Sequence, residues 1–388
     1  MTSASIIGWS HSRFGRLEAP DTTTLMSEVV PDALRHAQVE TADVDALFVG
    51  VYNNGFSTQD FQGALVGVGV PDLASTPATR LENACATGSA ALYAALDHVE
   101  SGRGRVAVVV GAEKMTGVPT SRAGEILLSG CYGPEESDVD GGFAGVFAQI
   151  ASAYAERHGD PSDAMARIAA KNHRNGVTNP YAQIRKDLGL ELCSTVSERN
   201  PLVAPPLRRT DCSLISDGAA ALVVVADDAA ASAPRRVRFR ARAHANDALP
   251  LSRRDPLEFA GVRRAWSAAT SAAGIETRDL DLIETHDCFT IAELLQYEAF
   301  GLADRGQGAR VLAEGLTEAD GALPVNRSGG LKAKGHPIGA TGVSMHAIAA
   351  MQVSGEAGDM QLPRADLAGV FNMGGAAVAN YASILEAW

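Results

Sequence analysis

The chain repeats itself, and that doubling limits its fold more than any other feature. Val39 to Phe48 lines up with Ile275 to Glu284, with the Glu, the Thr and both Asp residues recurring in register. Each stretch follows an alanine-rich segment with helical character (28–38 and 263–273) and leads into an apolar strand (46–51 and 282–285). Each half then carries a later helix opening on small residues (86–101 and 340–353). Each closes on Gly-Ala-Ala or Gly-Gly-Ala-Ala with a terminal strand (218–226 and 374–386). An internal repeat of this length fixes architecture before any local assignment is made. Two similar halves predict sites from both near a pseudo-twofold junction.

The halves differ at one point. In the second, Val370-Phe371-Asn372-Met373 runs straight into Gly374-Gly375-Ala376, whereas in the first the strand Val106–Gly111 lies far from Asp217-Gly218-Ala219. The intervening residues read as an insertion folded over one face, with a polar, glycine-rich stretch (130–145) and a helix around 162–175. The expected organisation is a first half of residues 1–114 and 213–232, an inserted loop domain of residues 115–212, and a second half of residues 233–388. Strands alternating with helices predict an α/β protein of layered βαβ units. Apolar β-branched runs such as Val106–Val110 suit strands covered on both faces.

Cys85 stands at the opening of the first small-residue helix, in Glu82-Asn83-Ala84-Cys85-Ala86-Thr87-Gly88-Ser89. A thiol there meets unpaired backbone N–H groups and the positive end of the helix dipole, which predicts a lowered pKa and a good nucleophile. By itself the pattern fits a buried structural cysteine as well. The other half supplies three further loops: Thr285-His286-Asp287-Cys288-Phe289, then Ser328 to Gly342 with His336 between Gly335 and Pro337, then Asn372-Met373-Gly374-Gly375. All fall at strand-to-helix or strand-to-strand turns, where α/β enzymes keep their chemistry. Gly374 could bring a backbone N–H close to a reacting oxygen. Gly335, Gly339 and Gly342 match neither nucleotide-loop spacing.

Bulk properties narrow the partners. With 33 basic and 46 acidic residues the net charge is −13, which argues against nucleic acid as a partner. Cysteines at 85, 131, 193, 212 and 288 are scattered, without CxxC or zinc spacing, so no metal is expected and a reducing compartment is. No basic n-region and no run of about 18 apolar residues occur, so neither a signal peptide nor a membrane span is expected and the expected location is cytoplasmic. The alternating arginines Arg238, Arg240 and Arg242, with Arg235 and Arg236, read as a solvated strand face. A contact to a phosphorylated cofactor or to a partner is the other reading.

Taken together, the runs around Cys85, His286–Phe289, His336 and Asn372–Gly375 resemble the thiolase superfamily. The His-Asp-Cys-Phe motif resembles its sterol-carrier-protein-type (SCP2-type) members. The resemblance extends over nearly the whole chain, through Gly111 to Met115, Ser216 to Ala220 and Gln296 to Ala299. It implies a thiolase-like fold: duplicated βαβαβαββ halves in a five-layered αβαβα core with an inserted loop domain. It implies an acyl-CoA C-acyltransferase, either cleaving 3-ketoacyl-CoA or condensing acetyl-CoA. Coenzyme A enters as substrate with no permanently bound cofactor, the chain forms a homodimer or homotetramer, and a small accessory subunit is conceivable. By the same resemblance Cys85 is the nucleophile and His336 its base. His336 and a water held by His286 form one oxyanion hole, and the N–H groups of Cys85 and Gly374 form another. Asn372, Gly335 and Gly375 support the site. The commoner thiolases carry a Cys-x-Gly cysteine where this chain has Asn372, and an amide cannot exchange a proton near neutral pH. Since a thiol is gained at Cys288, that residue is assigned the acid/base role. The remaining readings are a thiolase-fold acyltransferase or aldolase acting on a steroid-type or non-CoA acceptor, and a non-catalytic lipid carrier. An intact Cys85 speaks against the aldolase. A chain ending at Trp388 with no appended sterol-carrier domain speaks against the carrier.

Overall fold

A computed structural model describes residues 3–230 and 233–388; residues 231 and 232, where the sequence places the boundary between halves, lie outside the described residues. The first half contains β1 (Ala4–His11), α1 (Thr22–Ala37), β2 (Ala46–Gly50), α2 (Leu65–Gly69), β3 (Ala78–Leu81), α3 (Thr87–Glu100) and β4 (Val106–Lys114). Between β4 and the closing strand come α4 (Thr120–Leu128), α5 (Gly133–Glu136), α6 (Gly142–His158), α7 (Ser162–Gly176) and α8 (Gly189–Ser194), then a small hairpin of β5 (Leu202–Ala204) and β6 (Leu207–Arg208). The closing strand is β7 (Asp217–Ala226). The second half runs β8 (Val237–Asn246), α9 (Ala260–Ala273), β9 (Leu282–Thr285), α10 (Thr290–Ala299), α11 (Ala309–Ala313), α12 (Gly330–Ala333), α13 (Ile338–Val353), β10 (Leu367–Gly374) and β11 (Ala379–Ala387).

The aligned repeats fold alike. Thr41–Asp43 and Thr277–Asp279 each form a single 3-10 turn that delivers the chain into β2 or β9. Asp45 and Asp281 then play the same part: each carboxylate accepts backbone N–H groups at the start of a neighbouring strand, Arg105 and Val106 in one half, Asp366 and Leu367 in the other. This shared role accounts for the second Asp of each copy.

The strands join in the order β3-β2-β4-β7-β1-β8-β11-β10-β9. Each half therefore repeats one internal order, and the two half-sheets meet where Ser5 and Ile6 of β1 pair with Arg238 and Val237 of β8. The third strand of the second half has shrunk to one bridge, Val325 against Ile283. Alternation along the strands decides the layers. Val108, Val110, Ala221 and Val223 pack with Leu25, Val29 and Ala33 of α1 in an outer core, while Ala107, Val109, Leu222 and Val224 face the inner core with α3. On the far side α9 and α10 cover the second half-sheet through Trp266, Leu294 and Phe371. The result is the expected αβαβα stack. The arginine stripe on β8 is taken up by acids, Arg238 and Arg240 by Glu386, and Arg242 by Asp97 and Glu100. Among the described residues no helix is long and apolar enough to cross a membrane.

The middle layer holds α3 and α13. All sixteen residues of α13 are buried, as befits a helix apolar on every side. It touches α3 backbone to backbone: a Cβ on Gly88 would lie 2.7 Å from the Val343 nitrogen and 2.9 Å from the Gly339 oxygen, and one on Gly342 2.3 Å from the Ser89 nitrogen. Substituting Gly88 by Ala should therefore lower the unfolding free energy by about 1–3 kcal/mol in urea titrations, as overpacking does. Substituting Gly124 of α4, where an added Cβ meets nothing within 4 Å, should be neutral or stabilising.

Candidate active site

The turn before α3 holds Cys85 in a fixed pose. Ala84 lies at φ 48, a left-handed conformation that costs a non-glycine residue about 1–3 kcal/mol and persists only when its surroundings enforce it. They do so here. The Thr87 hydroxyl accepts from the Asn83 N–H at 2.8 Å and donates to the Ala84 carbonyl at 2.6 Å. The Ala84 N–H donates to Glu82, and the Asn83 side chain donates to the Tyr381 hydroxyl of β11 at 2.9 Å. Cys85 ends up 7% exposed, on the wall of a cavity of about 610 Å³. The cavity is lined largely by the segment between β4 and β7, with Met115, Leu128, Phe143 and Val203 giving it apolar walls.

Burial decides the state of this thiol. Desolvation pushes its pKa up to about 12, against the opposing pull of the Gly375 and Cys85 N–H groups. The lowered pKa expected from the helix start is thus overturned: the neighbouring amides are present, but removal from water outweighs them. The turn at Gly375, with φ 62, sets the N–H of that residue toward the sulfur. Gly374, which the sequence named, stands one residue earlier and packs closely, since a Cβ there would lie 2.3 Å from the Asn83 oxygen.

His336 comes from the start of α13. Gly335 is at φ 110, and a Cβ on it would lie 2.8 Å from the Ser216 hydroxyl, which accepts the His336 N–H at 3.0 Å. The ring is held at Nδ1 by Thr341 Oγ at 2.7 Å. Thr341 gives its own proton to the Pro337 carbonyl at 2.9 Å, so its oxygen accepts from Nδ1–H. The remaining nitrogen, Nε2, is then a lone pair without a partner among the described residues. Burial and the nearby Lys334 ammonium lower the His336 pKa to about 3, so the imidazole is neutral. Lys334 is itself buried, and its ammonium has no hydrogen-bond partner among the described residues.

His286 follows β9. It is fully buried, and it stands behind the cavity wall rather than lining it. Its ring lies 5.1 Å from that of His336, nearly perpendicular. Burial, His336 and Lys334 all hold its pKa well below the ordinary value. One donor atom each from Cys85, His286 and His336 lie within 4.8 Å of one another. Asn372 of β10 touches both ends of this group, through the Cys85 carbonyl and His286 Nδ1.

Cys288 lines the same cavity as Cys85, 2% exposed, and its thiol is pushed far up by burial and then by Cys85. Its neighbour Asp287 accepts from the Leu331 N–H at 2.6 Å and from Asn172 at 2.7 Å, so it caps α12 and ties the motif to α7. Behind it Lys171 and Glu293, both fully buried, pair at 2.7 Å. Several residues of this shell escaped the sequence reading: Ser89, Asn172, Ser216, Lys334 and Thr341. Thr341 and Lys334 sit in the glycine-rich loop with His336, Ser89 in the run around Cys85 and Ser216 in the motif Ser216 to Ala220, whereas Asn172 left no signal. Cys212 also lines the cavity.

Comparison with known proteins identifies the family. The thiolase N-terminal domain model matches residues 5–228, and the thiolase C-terminal domain-like model matches residues 243–387. The chain belongs to the thiolase family. An acetyl-CoA acetyltransferase of Methanothermobacter thermautotrophicus is 35% identical over 97% of both chains. Sterol carrier protein 2 of Homo sapiens is 31% identical over 95% of this chain and 69% of its own. Among solved structures, the Ltp2-ChsH2(DUF35) aldolase superposes with a TM-score of 0.81 over 99% of this chain and 98% of that one, at 22% identity, a likeness of fold.

A thiol with so high a pKa reacts through a small thiolate fraction. Alkylation of Cys85 in the resting thiolase by iodoacetamide, followed by mass spectrometry, should rise about tenfold per pH unit from pH 7 to 9 without levelling. A plateau near pH 7 would restore the helix-start argument over the burial argument.

Proposed function

We propose that this thiolase is an acyl-CoA C-acyltransferase that moves an acyl group between CoA thioesters through Cys85. The observation that carries the reading is the Cys85 sulfur, with a ring nitrogen from each of His286 and His336 within 4.8 Å, at an apolar cavity that Cys288 shares. The relatives named acetyl-CoA acetyltransferase support it.

The degradative direction starts from two thiols and two neutral imidazoles. His336 Nε2 takes the Cys85 proton as the sulfur attacks the 3-keto carbon of the substrate. The bond to the α-carbon breaks, and the electron pair left on that carbon takes the proton of Cys288, which burial has kept as a neutral thiol. Acetyl-CoA leaves. The Cys288 thiolate then removes the proton of an incoming CoA thiol, which attacks the Cys85 thioester and releases the shortened acyl-CoA, while the departing Cys85 sulfur takes its proton back from His336. Condensation of two acetyl-CoA runs the same steps in reverse. Once His336 carries the Cys85 proton, its Nε2–H is a donor to the oxygen on which charge builds. The Gly375 and Cys85 N–H groups serve the oxygen of the acyl-enzyme.

Incubation with acetyl-CoA, which needs no carbon–carbon cleavage, should leave an acetyl adduct on Cys85, seen by intact-protein mass, and Cys85→Ala should abolish it. Cys288→Ala should keep the adduct and lose carbon–carbon bond cleavage by about 10²- to 10⁴-fold, the range of general acid–base catalysis. Normal turnover in that variant would remove Cys288 from the acid/base role.

A further inference from the structure

The amide of Asn372 is committed to three fixed partners. Its Oδ1 accepts from the Ser89 hydroxyl at 2.7 Å, and its Nδ2 donates to the Cys85 carbonyl at 3.1 Å and meets His286 Nδ1 at 2.9 Å. An amide nitrogen has two hydrogens and no acceptor capacity. With one hydrogen on the Cys85 carbonyl, the other points at His286 Nδ1, which must therefore offer a lone pair. Turning the amide over would set Oδ1 against the Cys85 carbonyl, acceptor against acceptor. The pocket around Oδ1 leaves no freedom either, since a Cβ on Gly342 would lie 2.6 Å from it and 2.5 Å from Ser89 Oγ.

We infer that Asn372 is a positioning residue that sets the tautomer of His286, so that Nε2 of this neutral imidazole carries the proton. That Nε2 is buried and has no partner among the described residues, which is what a donor kept free for a substrate oxygen, or for a water bound to it, requires. Among the described residues no carboxylate hydrogen-bonds the ring, whose Nδ1 meets Asn372. The groups that do act on it, His336 and Lys334, disfavour the imidazolium. The two imidazoles beside Cys85 are thus complementary: Thr341 gives His336 a lone pair at Nε2, and Asn372 gives His286 a proton there. One is built to receive the thiol proton and the other to hold an oxyanion. The exchange of a cysteine for Asn372 then has a positive purpose beyond the loss of a thiol. This inference rests on the acyl-enzyme reading above.

The test begins with the unaltered enzyme. ¹⁵N spectra of histidine-labelled protein, with the His286 signals identified by their loss in His286→Gln, should show a neutral ring protonated at Nε2 through neutral pH. A ring protonated at Nδ1 would overturn the inference whatever any variant does. Asn372→Asp supplies an acceptor to Nδ1 and should move the proton there or charge the ring. It should still form the Cys85 acetyl adduct from acetyl-CoA while cleavage of acetoacetyl-CoA falls about 100-fold, the usual loss of one oxyanion donor. In the His286→Gln background the same Asn372→Asp change should cost clearly less than in the parent, because only the lost bond to the Cys85 carbonyl remains. An undiminished penalty in that background, or turnover within threefold of the parent in Asn372→Asp alone, would also overturn it. Absence of any Cys85 adduct in the parent enzyme would instead sink the acyl-enzyme reading.

Discussion

The backbone contact between α3 and α13 is the constraint on which the site depends. One helix comes from each half, and glycines at 88, 339 and 342 let them meet with no side chain between. Two helices that touch at their first turns bring together the turns that precede them. Cys85 precedes one and His336 the other. The strands repeat the device: a Cβ on Gly111 of β4 would lie 2.3 Å from the Gly339 oxygen. These absences of side chains place a sulfur and an imidazole in one site although their residues stand far apart in sequence.

Around that contact the site is assembled in an uncharged state. Burial keeps Cys85 and Cys288 as thiols and His286 and His336 as neutral rings. The formal charges lie a layer further out, in Lys334 and in the Lys171–Glu293 pair that backs Asp287. Proton movement then waits for a substrate whose developing charge changes the local balance, and water-driven side reactions at the thiol are suppressed meanwhile.

Much of this was legible in the chain. The repeat predicted α1 with α9 and β2 with β9, because each copy keeps the same acidic turn. The terminal strands were visible as apolar runs, although the second ends in a pair, β10 and β11, around the Gly375 turn. The shrinkage of the third strand to Val325 left no trace, since one bridging residue has no period to detect. At the site, the motifs around Cys85, His286, Cys288, His336 and Asn372 were visible as odd residues at turns. The direction of the Cys85 pKa shift was not, because it depends on how deeply other segments bury the sulfur. The choice between Gly374 and Gly375 depends on one turn's dihedral angles. Ser89 and Asn172 are ordinary polar residues in helices, and only the packing of one half on the other gives them partners.

Glu113 shows what the doubling has become. Its carboxylate, pushed up to about 7 by burial, accepts the N–H groups of Tyr52 and Asn53 from its own half and of Gly339 from the other. A single side chain of one repeat thus completes the scaffold of its sibling. Gene duplicates usually drift because each can change alone. Here that liberty is gone: neither repeat can be cut out, shuffled or returned to a symmetric ancestor without orphaning amides in the remaining copy.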